Sequence, residues 1–289
     1  MGSLIEILIR KIPNDYSLKR NYLDRYSDSV EVLILGNSHD LYGVNPHLIK
    51  AKAFNAANVS QTYRLDYEIA MKYQAHWQQL NYIVMSVDYF SLYTSLETGD
   101  EKWRIKNYEI YSGIDVVKDV RAHTEILSSN FKINLERLYK NYIANVSTSY
   151  CTSLGWAANY NATSNSAALT ASGINRAKYH TAISKEDLLN ENIAMLRSII
   201  EFAKRKSIKV ILFTSPCYKT YTANLKPEQL SRTLAEIEKL KSEFSNVSYI
   251  NLLRDSSFLE SDFFDANHLN HTGARKLTNI INLQFALLQ

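Results

Sequence analysis

The chain of 289 residues contains only two cysteines, Cys151 and Cys217, far apart in sequence. Two isolated thiols supply neither a disulfide framework nor the paired spacing of a zinc site. They read as free structural thiols and leave the redox compartment open. Long apolar runs are also missing. No stretch approaches the roughly eighteen apolar residues that a membrane-spanning helix needs. Leu4-Ile5-Glu6-Ile7-Leu8-Ile9 is too short for a signal core and lacks a cleavage site. It reads either as the remnant of an anchor or as an amphipathic first helix. Charge of one sign is scarce as well: the formal net charge is +4, with no basic run interleaved with aromatics. That argues against a nucleic-acid footprint, although a mildly basic surface suits an anionic glycan or a membrane face. No repeat of fixed period and no low-complexity tract is present.

What remains is the composition of a globular protein with a sizeable core, 46% hydrophobic and 21% charged. Its length lies between one ordinary domain and two. The twenty tyrosines offer flat apolar faces and hydroxyls that suit sugar binding, though an Asn/Lys/Ile/Tyr-rich chain is more simply a biased composition. Short apolar segments at 30–35 (VEVLIL), 53–55, 82–87 (YIVMSV), 209–214 (KVILFT) and 247–251 read as strands. Helical spacing appears at 63–77, at 188–203 behind a Ser184/Asp187 capping-box-like start, at 227–244 behind Pro227, and at 272–288. Strands alternating with amphipathic helices predict a three-layer α/β/α sandwich on a parallel sheet, with its site beyond the carboxyl ends of the strands. Residues 100–183 break the pattern. No convincing strand is seen there, 115–146 looks helical, and 150–173 is small, polar and turn-prone. This stretch is expected to be a largely helical or loop insertion that caps the site of a single domain spanning 1–289.

Two motifs carry chemistry. Gly36-Asn37-Ser38-His39-Asp40 follows the first strand, where glycine permits a tight turn and a serine faces the crevice with its backbone N–H available to a carbonyl oxygen. Asp265-Ala266-Asn267-His268-Leu269-Asn270-His271 precedes the last helix. Asp265 and His268 are about one turn apart, so the carboxylate can hold one imidazole nitrogen while the other faces a serine. An unassisted serine hydroxyl is a poor nucleophile and needs such a base. Either motif alone is more simply a turn or a helix cap. A zinc site from Asp265, His268 and His271, which Asp40 and His39 could join, would still want a full ligand set with supporting hydrogen bonds around it, so no metal is expected.

Taken together, the motifs resemble the SGNH/GDSL hydrolase superfamily, which places its serine in a Gly-Asp-Ser-like block after the first strand and Asp-x-x-His before the last helix. Gly36-Asn37-Ser38-His39, the Asp265–Ala274 segment and the block Phe54-Asn55-Ala56-Ala57-Asn58-Val59-Ser60-Gln61 resemble in particular the bacterial envelope polysaccharide O-acetyltransferases and the D-alanine transfer protein of the teichoic acid pathway. The resemblance covers the flanks of the chain and leaves 100–183 unmatched. It implies a catalytic Ser38, Asp265 and His268, acting as a carbohydrate O-acetyltransferase through a Ser38 acyl-enzyme. A carbohydrate O-acetylesterase or an inactive glycan-binding module are the alternatives. No bound cofactor is implied, but an acetyl donor is, either acetyl-CoA or a membrane-derived acetyl group. A glycan acceptor and a membrane acyl-transfer partner are implied too, with a location at the bacterial cell envelope or, with acetyl-CoA, in the cytoplasm. The family's second-block glycine is not evident, and its third-block asparagine is replaced by Ser86-Val87-Asp88-Tyr89. The missing oxyanion donor is therefore sought at Asn58, Ser60 or Gln61, with His39 orienting Ser38 or lining the site.

Overall fold

The computed structural model describes residues 2–288; Met1 and Gln289 lie outside the described residues. Five parallel strands, β1 (Val32–Ile34), β2 (Ala53–Asn55), β3 (Tyr82–Ser86), β4 (Lys209–Thr214) and β5 (Val247–Asn251), form a sheet in the order β2-β1-β3-β4-β5. A short antiparallel pair follows, β6 (Phe263–Asp265) with β7 (His268–Leu269). The helices of at least six residues are α1 (Gly2–Arg10), α2 (Asp15–Tyr26), α3 (Ser38–Gly43), α4 (Tyr63–Lys72), α5 (Phe131–Tyr142), α6 (Ser166–Ile183), α7 (Leu189–Arg205), α8 (Pro227–Glu243) and α9 (His271–Leu287).

Alternation of side chains along each strand divides the core into two layers. Leu33, Ile83, Met85, Val210 and Leu212 pack against Leu23 of α2, Leu65 and Ile69 of α4, Leu196 and Ile199 of α7, and Ile237 of α8. Val32, Ile34, Val84, Ile211 and Phe213 face the other way, onto Leu169 and Ala177 of α6 and Leu277 and Ile281 of α9. The result is a three-layer α/β/α sandwich. Because β1 pairs with both β2 and β3, the chain reverses its direction of travel across the sheet at β1. In open parallel sheets the crevice at that point is where ligands bind.

The strands and late helices fall within a residue or two of the sequence expectation. Three differences have local causes. Helix α4 stops at Lys72, and Trp77 turns back to donate its indole N–H to the Ala70 carbonyl at 2.8 Å. Ser184 does not cap α7; its hydroxyl donates to the His180 carbonyl at the end of α6. Within the turn-prone stretch 150–173, residues from Ser166 onward are helical, because Asn165 accepts from the Ala168 N–H and starts α6. The insertion is tied down on the β2 side, where the Asn55 N–H donates to the Leu154 carbonyl at 2.9 Å.

Candidate active site

The turn after β1 is built by its own side chains. Gly36 has φ +117°, and a Cβ there would lie 2.1 Å from Asp40 Oδ2, so this position excludes other residues on two counts. Asn37 caps α3 by accepting from the His39 N–H at 2.8 Å, while Asp40 accepts from the Asn37 N–H at 3.1 Å. Asp40 is wholly buried and also accepts from the Ser86 N–H (2.8 Å) and hydroxyl (2.6 Å), which locks the turn onto the end of β3. Burial pushes its carboxyl well above the usual range. Ser38 is left as the first residue of α3, half-buried at the sheet's carboxyl edge.

The other motif folds around Asp265, the last residue of β6. Its Oδ1 accepts from the backbone N–H groups of Asn267 (3.0 Å) and His268 (2.9 Å), which curls the intervening residues into a tight loop. Ser172 of α6 accepts the Ala266 N–H at 2.9 Å, and the Ser164 hydroxyl donates to the Phe264 carbonyl. The insertion therefore props up this loop.

Across 230 residues of sequence, the two motifs meet. His268 Nε2 lies 2.9 Å from Ser38 Oγ, and His268 Nδ1 lies 3.0 Å from both Asp265 oxygens. Burial alone would raise the Asp265 pKa, but His268 and the two loop N–H groups hold it well below the usual carboxylate range. Burial lowers the His268 pKa and Asp265 offsets this only in part, so the imidazole stays below its ordinary value of 6.5. A neutral imidazole whose Nδ1–H is held by an ionised carboxylate presents a basic Nε2 to the hydroxyl.

The remaining sequence candidates are placed differently. His39 does not line the cavity at Ser38. It is buried beneath the site, with Nδ1 2.8 Å from Asp88 Oδ2, without the alignment of a hydrogen bond, and Nε2 3.0 Å from the Asn267 amide nitrogen. Its ring packs edge-on against His268 at 5.1 Å. Asp88 lies two residues beyond the end of β3. Burial pushes its pKa up, but His39 and the Ser215 N–H hold it down at about 2. The three side chains considered for the oxyanion are all committed elsewhere. Asn58 donates to Gln61 Oε1 (2.9 Å), Gln61 donates to Asp66 (2.7 Å), and the Ser60 hydroxyl donates to Glu101 (2.7 Å). What the segment does offer is backbone. Ser60 adopts the left-handed conformation at φ 59°, the conformation glycine adopts most readily. The N–H groups of Ser38, Val59 and Ser60 have no partner among the described residues, and all three residues line the cavity. His271 turns away to the Ala158 carbonyl at 2.9 Å, and among the described residues no three acidic, histidine or cysteine side chains form a metal-binding group.

Ser38 and His268 open into a cavity of about 330 Å³. The sheet side contributes Gly36, Asn37 and Asp66, and the insertion contributes Glu101, Arg104, Tyr160, Arg176, Tyr179 and His180. Among the insertion's aromatics, Tyr160 lines the cavity, stacked between Tyr42 (3.7 Å) and Phe264 (3.8 Å). Tyr108, Tyr111 and Trp156 are buried in packing, and Trp103 is exposed outside the cavity. His180 and Asp66 went unnoticed in the sequence. Each sits within a helix, where nothing in the spacing distinguishes a cavity residue from a core one.

No protein-family model matches the chain, and no curated protein matches it significantly. Solved structures do. A proposed platelet activating factor from Streptococcus pneumonia is 13% identical, with 99% of this chain and 97% of that one covered, at a TM-score of 0.46. A proposed acylhydrolase from Bacteroides fragilis is 10% identical over 96% and 99% of the two chains, at 0.45. A GDSL-like lipase from Bacteroides thetaiotaomicron is 10% identical over 95% and 100%, at 0.43. These are the proteins the chain is similar to.

Proposed function

We propose that the chain is a serine acyltransferase of SGNH type, which acetylates a carbohydrate hydroxyl through an acyl-enzyme on Ser38. The observation that carries this reading is the continuous line from Ser38 Oγ through His268 (2.9 Å) to Asp265 (3.0 Å) at the floor of an open cavity. His268 Nε2 takes the Oγ proton as Oγ attacks the donor's acyl carbon. The resulting oxyanion lies against the free N–H groups of Ser38 and the Val59–Ser60 turn. His268 returns the proton to the leaving group as the tetrahedral species collapses to the ester. An acceptor hydroxyl then enters, His268 takes its proton, and the second collapse returns that proton to Ser38 Oγ.

Transfer is favoured over hydrolysis by the size and walls of the cavity. At about 330 Å³ it holds far more than an acetyl group, and ligand pockets span roughly 300–1,000 Å³. Its tyrosine faces and hydroxyls suit a sugar ring, and a bound sugar would displace water from the ester. The test is a burst assay with 4-nitrophenyl acetate, with and without glycan acceptors. Mass spectrometry should find acetyl on Ser38, and then on the acceptor. Acetate released with no acetylated glycan among those tried would make the protein an esterase. No burst and no Ser38 adduct would leave a glycan-binding module.

A further inference from the structure

His180 belongs to α6 of the insertion and plays no part in the serine chemistry, yet it is built into the cavity wall. Its side chain is 6% exposed, and its Nδ1 lies 2.7 Å from the hydroxyl of the fully buried Tyr221. The ring packs on Phe90 at 4.1 Å, and Phe90 in turn meets His39 at 5.7 Å. The ring therefore cannot turn freely. It lines the cavity while its second nitrogen, Nε2, has no hydrogen-bond partner among the described residues. Nε2 is not sealed off from the cavity, and it is free to bond with an occupant. Burial, with the positive fields of His39, Arg176 and His268, keeps the imidazole well below its ordinary pKa. The ring is neutral, and its hydroxyl partner Tyr221 can act as donor or acceptor, so Nε2 can accept from or donate to a neutral group. It is not a charged anchor.

We propose that His180 Nε2 holds a second hydroxyl of the acceptor while the first is presented to His268 at the Ser38 ester, which makes the acceptor a polyol. This rests on the acyl-enzyme reading above. His180 and His268 line the same cavity on different elements, α6 and β7, so a sugar ring carrying several hydroxyls can offer one to each, whereas an alcohol with a single hydroxyl has only one to offer.

The test compares wild type, His180→Gln and His180→Leu, each charged with 4-nitrophenyl acetate and offered methyl glucoside or ethanol. His180→Leu is expected to lower the ratio of acetylated glucoside to free acetate at least tenfold. His180→Gln, which restores a polar group, should recover most of it. The ethanol ratio should shift by less than threefold in both. Parallel loss with both acceptors would mean a structural role only and would overturn the assignment, as would a wild type that passes acetyl to ethanol but to no polyol. Turnover that survives Ser38→Ala would instead remove the acyl-enzyme reading. A readout independent of turnover is the ¹⁵N spectrum of histidine-labelled Ser38→Ala protein titrated with methyl glucoside, glycerol and inositol. A shift of His180 Nε2 supports the site, and no shift with any of the three overturns it.

Discussion

Two Asp–His pairs lie edge to edge in this protein, and only one of them faces a nucleophile. Asp265–His268 borders the cavity, with Nε2 of the histidine on Ser38 Oγ. Asp88–His39 is just as close at 2.8 Å, but its outer nitrogen meets the Asn267 amide, and both side chains are almost completely buried. The chemistry of an imidazole is thus set by what its second nitrogen meets. The outer pair can move a proton to and from a substrate. The inner pair holds Asn267, the residue before His268, and braces the loop.

That contrast is open to experiment. Ser38→Ala should abolish turnover, by on the order of 10⁴-fold or more in kcat, with the melting transition close to that of the parent. Unchanged activity would falsify the central reading. Substituting the two carboxylates should then separate the pairs. Asp265→Asn removes the anion that fixes the His268 tautomer and should cost about 10³–10⁴-fold in kcat, with little loss of stability because the site is partly open. Asp88→Asn removes the hub that also accepts from the Ser215 N–H at 3.0 Å. Breaking a buried pair of this kind should cost about 3–5 kcal/mol of stability, with a far smaller loss of kcat per folded molecule. Equal kinetic effects from the two substitutions would dissolve the distinction.

The pH dependence sharpens it further. His268 must be neutral to act as a base, and its pKa is depressed in the folded state. The acid limb of kcat/KM should therefore have its midpoint below 6.5, with activity lost as pH falls through that value. A limb above 6.5 would contradict the burial argument. Asp66 behaves in the opposite sense. Burial pushes its carboxyl up to about 7, against the Gln61 amide and the Gly36 N–H. The folded state therefore takes up a proton that the unfolded chain releases at ordinary carboxylate pH, and this stabilisation is lost as pH rises toward 7. Asp66→Asn should raise stability at pH 8, by at most about 4 kcal/mol, and flatten the dependence between pH 4 and 7. Denaturant unfolding at several pH values measures both effects. The smallest effect is expected from Tyr160→Ala, which opens the stack over His268 without removing the Ser164 and Ser172 bonds to the Asp265 loop. It should raise free acetate over acetylated glycan by a few-fold, read by mass spectrometry.

The strands and flanking helices were legible because their signals are local. A short apolar run such as KVILFT reads as a strand buried on both faces, and Pro227 marks a helix start whatever surrounds it. The serine turn and the Asp265 loop were legible as motifs for the same reason, since Gly36 and Asp40, and Asp265 and His268, interact with near neighbours in the chain. The oxyanion donor was sought in side chains because those are what a sequence displays. Asn58, Gln61 and Ser60 are committed to partners up to 47 residues away, and the groups left free are backbone N–H groups, whose direction depends on the φ of 59° at Ser60.

By itself, the sequence determined the order of elements, the layer each apolar face must seek, and the residue types at the two ends of the serine-to-aspartate line, because period and turn chemistry act over a few residues. Only the tertiary structure brought His268 within reach of Ser38, buried His39 on Asp88, and placed His180 of the insertion at the same cavity. Those choices depend on contacts across 228 and 230 residues of chain, set by how the sheet stacks its loops at one edge, and no local pattern encodes them.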